Sequence, residues 1–370
     1  MTGGPAGRIR LRRRRRPNPP PPAAAGGGPL FLATTLAGLE DVLADEVRAR
    51  LPAVRVRERG RGRLILEAPD AAPLLGLRTA DNLYRVLGRF RIGPHRADLA
   101  AVTAAAAAVD LRPFAPPGGG DAGGPPPTLF VNASRAGQHT FSRFELAAAA
   151  TAGLLGAHPR WREGEATAHD LELRLDAAAD RALLSLRLTP AAFRFRGERA
   201  FSPAALRPTV AHALVWLSRP APADRFLDPF CGSGTVLAER LAYPAARLTG
   251  GDADAAALRA ARANLPPAPA LGLARLDARR LPLRAGVVDA AVSNLPFGRQ
   301  VAAPDGIDAL YRDFARELAR VLSPGGRAIL LTDQVPALQA ALAAAGLRGE
   351  SRLELSLKGR HPQAVAVTAG

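Results

Sequence analysis

The chain has 370 residues and a formal net charge of +17, enough length for two or three domains and a balance that suits a polyanionic partner such as nucleic acid. Lys358 is the only lysine, so the charge is arginine, and a composition bias of that kind makes arginine counts weaker indicators of a partner than usual. The single cysteine, Cys231, excludes an internal disulfide; no Cys/His cluster has zinc spacing, and the apolar runs are too short and too interrupted by arginine to cross a membrane.

In chain order, residues 1–28 carry seven arginines and no acid, which takes the +17 of the whole down to +10 for the body. The segment lacks the apolar stretch of a secretory signal and is expected to be a disordered, dispensable basic tail. Residues 29–112 read as one α+β domain. Leu30–Thr35 is a strand, and Leu39, Leu43, Val47 and Leu51 stripe a helix. Val54–Arg57 and Arg63–Leu66 are strands around the Gly60–Gly62 turn, and residues 71–92 add a short helix and a last strand. This β-α-β-β-α-β order is ferredoxin-like.

The Pro/Gly-rich stretch 113–127 is a linker, and 128–200 a second α+β domain. Leu129–Ala133 is a strand, Arg143–Leu155 a helix, and Asp170–Leu175 with Leu183–Leu188 a hairpin. Arg135, His139, Phe141 and Arg143 cluster in its first loop, and Arg194, Arg196 and Arg199 follow later. Basic groups interleaved with aromatics suit a phosphate-rich strand, so Arg135, His139, Arg143, Arg194 and Arg196 are candidate RNA contacts. For His139 a packed loop histidine is an equal reading.

Residues 201–370 have the alternation of a Rossmann-like α/β domain. The strand Arg225–Leu227 runs into DPFCGSGT at 228–235, where Gly232 and Gly234 permit positive φ and let backbone N–H groups approach a ligand. The turn has Leu237 where a dinucleotide fingerprint wants Gly or Ala, and no P-loop lysine. Asp228 would repel a diphosphate but suits a cationic amino acid moiety, which points to S-adenosylmethionine. Asp252, 24 residues on, stands at the end of the next strand, where such sheets place a carboxylate on ribose; Asp277 follows a third strand, where an adenine-edge acceptor belongs. NLPFG at 294–298 closes a fourth strand, 287–293. The Asn294 side-chain oxygen and a backbone carbonyl would accept the two N–H bonds of a conjugated amine, Pro296 stiffens the turn, and Phe297 offers a stacking face. C5 methylation of pyrimidines is disfavoured, because this turn holds no nucleophilic thiol. A helix over 307–321, strand 328–331, helix 338–347 and the pair 353–357 and 364–368 complete seven strands.

DPFCGSGT, GGDAD, LDA at 276–278 and NLPFG together resemble the motif series of class I S-adenosylmethionine-dependent amino-methyltransferases. More closely, the chain from about Leu30 onward resembles the THUMP-domain RNA methyltransferases that make N2-methylguanosine in tRNA, most specifically at 206–298, where LRPTVAHAL precedes DPFCGSGT. The resemblance implies an RNA-binding THUMP domain at 128–200. It implies cofactor contacts by Asp228, Pro229, Gly232, Gly234, Thr235, Asp252 and Asp277, and catalytic contacts to the base by Asn294, Pro296 and Phe297. Leu295 stands where many relatives have a second proline, and its carbonyl still serves as an acceptor. The implied enzyme methylates a guanosine of the tRNA acceptor-stem region, position six first, as a cytoplasmic monomer without a metal. Three alternatives stay open: an rRNA guanine-N2 methyltransferase, a DNA amino-methyltransferase, and a noncatalytic RNA-binding protein with a vestigial methyltransferase fold.

Overall fold

The structure is a computed structural model and describes residues 28–116, 124–190, 192–196, 205–297, 306–357 and 359–369. The arginine-rich tail, much of the expected linker, Arg199 and Gly298 lie outside the described residues. The chain divides into two compact units, one formed by 28–87, 171–173 and 185–370, the other containing 88–170 and 174–184.

The first unit opens with β1 (Leu30–Thr34), α1 (Glu40–Arg50), β2 (Arg55–Gly60), β3 (Arg63–Glu67) and β4 (Asn82–Arg91), which runs on past the unit's boundary. The strand order is β2-β3-β1-β4 with every neighbour antiparallel, the ferredoxin-like order the sequence led us to expect. The second helix of that pattern is reduced to a 3-10 turn at Ala72–Gly76. Acids start α1 and arginines end it, matching the helix dipole.

The second unit contains α2 (Leu99–Ala107), β5 (Thr128–Ala136), α3 (Arg143–Ala157), the two-residue β6 (Arg162–Glu163), β7 (Leu171–Ala178) and β8 (Arg181–Arg187); β7 and β8 each cross the boundary. The division therefore falls in β4 at Gly88, whereas the expected domain line was at 112. The physical reason is α2. Its alanine-rich surface, with Val102 and Ala106 buried, needs a partner and finds it in α3. There a Cβ on Gly153 would stand 2.2 Å from the Thr103 carbonyl oxygen, and the Thr103 hydroxyl donates to the Ala149 carbonyl at 3.0 Å. Ser142 caps α3 through a reciprocal pair with Glu145.

The rest of the first unit is α4 (Pro208–Leu217), β9 (Arg225–Asp228), α5 (Thr235–Arg240), β10 (Arg247–Asp252), α6 (Ala255–Asn264), β11 (Leu271–Arg275), β12 (Val288–Asn294), α7 (Ile307–Val321), β13 (Leu322–Thr332), α8 (Val335–Ala344), β14 (Leu347–Glu354) and β15 (Gln363–Ala369). The seven strands lie in the order β11-β10-β9-β12-β13-β15-β14, parallel except at β15, which is antiparallel to both neighbours. Successive residues alternate between faces. Phe226, Val292 and Ile329 pack with α4, α5 and α6, while Leu227, Ala291 and Leu330 pack with α7 and α8. The strands are apolar throughout because both faces are covered. Leu39, just before α1, and Val42 of α1 join the first of these cores, so the ferredoxin-like strands and the seven-stranded sheet share one unit.

A buried polar seam runs through that shared core. Glu46 of α1 has no exposed surface and accepts from the backbone N–H groups of Arg78 (2.8 Å) and Thr79 (2.9 Å) and from the Arg50 guanidinium (3.0 Å). Arg78 reaches on to buried Glu239 at the end of α5 (2.8 Å). His212 of the LRPTVAHAL segment bonds Thr79 (2.9 Å) and Tyr243 (2.7 Å), and Thr209 donates to Asp81 (2.9 Å). Burial first, then Arg78, Arg196 and Arg50, push His212 down to about 2, so its ring is neutral. The segment that marked the family in the sequence thus serves docking of α4 against the N-terminal strands. Glu46→Ala leaves the Arg78 and Thr79 amides without their acceptor, and should lower stability by roughly 3 kcal/mol. Denaturant unfolding followed at the shared core checks this, and a change under about 1 kcal/mol would show the seam to be dispensable.

Candidate active site

In the seven-stranded sheet the chain goes from β9 outward through β10 and β11, then returns to the other side of β9 for β12. The carboxyl ends of β9 and β12 therefore border the switch point where open α/β sheets bind ligands. The Arg225 guanidinium holds Asp289 through two bonds (2.8 and 2.7 Å) and so ties the starts of these strands together.

The glycine turn is built by what its neighbours demand. Gly232 has φ +53° and Gly234 φ +83°, conformations that strain any side chain. A Cβ at Gly232 would meet nothing within 4 Å, so open space faces this backbone; at Gly234 it would meet Leu265 at 2.9 Å. The Cys231 amide donates to the Gly251 carbonyl (2.8 Å), and the Gly232 amide to the Asp252 carboxylate (2.9 Å). Gly250 and Gly251 are small because a Cβ on either would stand 2.3 Å from Leu237 or Leu276. Burial and the neighbouring acids Asp228 and Asp252 raise the Cys231 thiol, which stays protonated and packs.

Asp228 ends β9 and is buried, at 1% exposure. Its carboxyl accepts from the Ser293 hydroxyl, one residue before Asn294, and from the Phe230 amide (3.3 Å). Burial pushes it up to about 7, with Asp252 adding to the rise and the two hydrogen bonds opposing it. Asp252, part-exposed at the end of β10, also accepts from the Asp254 amide (2.9 Å), and each of its oxygens keeps a further lone pair for a ligand. Pro229 links Asp228 to Phe230, whose ring meets Phe314 edge-on at 5.1 Å, and Thr235 is buried as the first residue of α5. Asp277, beyond β11, is half-exposed and holds Arg279 through its side chain (2.8–3.1 Å) and amide (2.9 Å), which keeps its carboxyl below the ordinary range. Any ligand amine there shares Asp277 with Arg279.

Asn294 ends β12 and Leu295 is still laddered, its amide donating to the Leu331 carbonyl (3.0 Å). Pro296 and Phe297 are part-exposed, and the Tyr311 hydroxyl meets the Pro296 carbonyl at 2.7 Å. Two participants went unnoticed in the sequence. Ser293 carried a signal in its place next to NLPFG. Tyr311 carried one as a polar-tipped aromatic on the Ile307–Val321 stripe, where Phe314 and Leu318 follow it at helical spacing.

The expected RNA contacts separate. Arg135 and Arg143 are exposed in the unit of 88–170, and the Arg143 guanidinium lies 4.8 Å from the Phe144 ring centroid. Phe144 is 70% exposed, one of two large exposed apolar side chains among the described residues, and sequence reasoning passed over it. His139 belongs to the packing of its loop: its ring lies tilted against Phe141 at 4.9 Å and bonds the Ala179 carbonyl at 2.9 Å. Arg194, in the other unit, is exposed over Phe195 (4.7 Å). Arg196 differs from expectation. Its side chain is only 13% exposed and is spent on the Arg78 and Phe193 carbonyls, 3.9 Å from Glu239, because buried Glu239 requires nearby cations. Among the described residues no group of three or more His, Cys, Asp or Glu is placed to hold a metal ion, and no helix is long and apolar enough to cross a membrane.

A buried acid whose charge is costly, a bare glycine backbone and a second strand-end acid fit a ligand that is cationic at one end and carries a ribose. The strand order and the switch point it creates define the class, a Rossmann-like class I methyltransferase that uses S-adenosylmethionine. The RMKL-like methyltransferase domain matches residues 196–363. A tRNA (guanine(6)-N2)-methyltransferase of Thermus thermophilus is 34% identical over 321 residues, covering 84% of this chain and 91% of that protein. The bovine tRNA (guanine(6)-N(2))-methyltransferase THUMP3 is 30% identical over 58% of this chain and 46% of its own length, so this chain matches about half of that relative. The crystal structure of TrmN from Thermus thermophilus superposes with a TM-score of 0.75 at 29% identity, covering 92% of this chain and 100% of that one. The chain belongs to the family of tRNA guanine-N2 methyltransferases.

The raised Asp228 has a measurable consequence. Unfolded, the group ionises near 3.8; folded, it keeps its proton to about 7. Its stabilising contribution is therefore full below pH 3.8 and is lost as pH rises to about 7. Asp228→Asn removes that loss, so melting scans of the ligand-free protein should show the variant gaining on wild type between pH 5 and pH 8. The gain is of order 2–4 kcal/mol. An equal difference at both pH values would mean that the carboxylate is not desolvated as described.

Proposed function

We propose that this enzyme transfers the methyl group of S-adenosylmethionine to the exocyclic N2 of a guanosine in tRNA, in the acceptor-stem region and first of all at position six. The observation that carries the reading is the Asn294–Phe297 turn at the carboxyl end of β12, beside the glycine turn through the Ser293–Asp228 bond. Family membership at 34% identity supports the substrate, since the Thermus relative is named for guanine 6 of tRNA.

The N2 lone pair of guanine is delocalised into the ring and is a weak nucleophile. The Asn294 side-chain oxygen and the Leu295 carbonyl accept its two N–H bonds, turn the lone pair toward the methyl carbon and stabilise the positive charge that grows on nitrogen. Phe297 stacks on the base, and Pro296 presents no competing N–H. The cofactor supplies an electrophilic methyl on a sulfonium. With the cofactor bound, the N–C bond would form as the S–C bond breaks with its electron pair to sulfur, and the nitrogen would release one proton to water. Asp228 faces the ammonium of the methionyl part, Asp252 the ribose hydroxyls and Asp277 the adenine edge. Gly232, Gly234, Pro229 and Thr235 shape the wall between them.

The unit of 88–170 and 174–184 takes the THUMP role, with Arg135, Arg143 and Phe144 as its RNA contacts. The enzyme works as a monomer in the cytoplasm.

Asn294→Ala should slow single-turnover methylation of tRNA on the order of a hundredfold to a thousandfold, with cofactor and tRNA affinity near wild type. A variant keeping more than about a tenth of the rate would sink the catalytic role, that loss being only ~1.4 kcal/mol. Phe144→Ala should weaken tRNA binding on the order of tenfold, the value of one stacked base, and leave cofactor affinity alone. Filter binding at fixed salt tests this, and an unchanged Kd would remove Phe144 from the RNA surface.

A further inference from the structure

We infer that Tyr311 of α7 is a positioning residue for methyl transfer, holding the Leu295 carbonyl at the amine by clamping the Pro296 carbonyl that follows it. The inference rests on the function proposed above. Tyr311 and Thr332 are both fully buried. The Tyr311 hydroxyl lies 2.7 Å from the Pro296 carbonyl oxygen and 2.7 Å from the Thr332 hydroxyl, and the Thr332 hydroxyl lies 2.9 Å from the Gln334 amide nitrogen.

The direction of every bond in this chain is forced. A carbonyl has no proton to give, so Tyr311 donates to Pro296. Having spent its only proton there, Tyr311 accepts from Thr332. Having spent its own, Thr332 accepts from the Gln334 amide, which has nothing else to offer. Burial pushes the Tyr311 phenol up to about 12, so it stays a donor through the neutral range.

The clamp sits where the acceptor needs it. The Leu295 amide is fixed to the Leu331 carbonyl of β13 at 3.0 Å, and the Pro296 carbonyl is fixed to α7. The peptide between these two anchors carries the Leu295 carbonyl. Pro296 has no amide hydrogen and cannot continue the ladder, so it is Tyr311 that fixes its carbonyl. A fixed dipole stabilises developing charge without reorganising during the reaction.

The test compares Tyr311→Phe with Thr332→Val in full-length protein, using a tRNA transcript with guanosine at position six and labelled S-adenosylmethionine. Tyr311→Phe keeps the ring in the core and deletes the clamp. Its single-turnover rate should fall roughly tenfold, the factor expected for one lost hydrogen bond, while cofactor and tRNA Kd stay within about twofold of wild type. Thr332→Val leaves the bond from Tyr311 to Pro296 in place and should cost clearly less rate, although it removes a hydroxyl from the same buried chain. A purely structural role would give both variants similar melting shifts and rates that follow the folded fraction. The inference fails if Tyr311→Phe turns over within about twofold of wild type. It fails equally if Thr332→Val loses as much rate, or if the loss appears in tRNA Kd. Asn294→Ala in the same assay separates the two levels. An inactive Asn294→Ala beside a fully active Tyr311→Phe removes only the clamp, whereas a fully active Asn294→Ala removes the turn as the reaction site and the clamp with it.

Discussion

A carboxyl group at 1% exposure must have its hydrogen bonds supplied from within, and Asp228 takes them from Ser293 and the Phe230 amide. The requirement is demanding because Ser293 belongs to β12 and Phe230 to the glycine turn. Satisfying it puts the end of β12 against the end of β9, which is the strand adjacency of the whole sheet read at one atom. The turn that would hold the methyl donor and the turn that would hold the acceptor amine are thereby neighbours. Because the group remains neutral to about pH 7, an incoming cation meets a carboxyl that ionises on demand instead of a charge buried in advance.

The same economy of buried polar groups organises the scaffold. Glu46, Glu239 and Arg240 have no exposed side chain, and each bonds groups from other elements of the chain. The Arg240 guanidinium reaches the carbonyls of Ala221, Tyr243 and Pro244 as well as Asp224, stapling the end of α5 to the loop before β9 and the loop before β10. Such groups are costly to bury and strongly specific once partnered. They hold α4 and α5 against the ferredoxin-like strands, so that the glycine turn at the head of α5 rests on a fixed base.

The reaction asks little of acid–base chemistry and much of position. No residue in the acceptor turn titrates near neutrality; the groups there are an amide, backbone carbonyls, a proline and an aromatic ring. What they would contribute, on the function proposed, is orientation of a weak nucleophile, and orientation depends on anchors behind the turn. Leu331 of β13 and Tyr311 of α7 are those anchors, one through a ladder bond and one through a side chain.

Much of this was written locally. DPFCGSGT, Asp252, Asp277 and NLPFG each stand at the end of a recognisable strand, and their order along the chain is the order of one class of sheet, so class and cofactor were legible in the sequence. The ferredoxin-like order was legible for the same reason, since strand and turn signals are local. Tertiary structure decided whatever depends on partners distant in sequence. Arg196 read as an RNA contact because arginine beside phenylalanine looks like one, yet buried Glu239 draws it inward. His139 turned to its own loop once Phe141 and the Ala179 carbonyl came within reach. Helix α2 left its expected domain because α3 offers Gly153, on which it can close. Ser293, Tyr311 and Phe144 took their places only in three dimensions, because a hydroxyl's partner and a ring's exposure are properties of packing, and packing is set by residues that periodicity and motif do not connect.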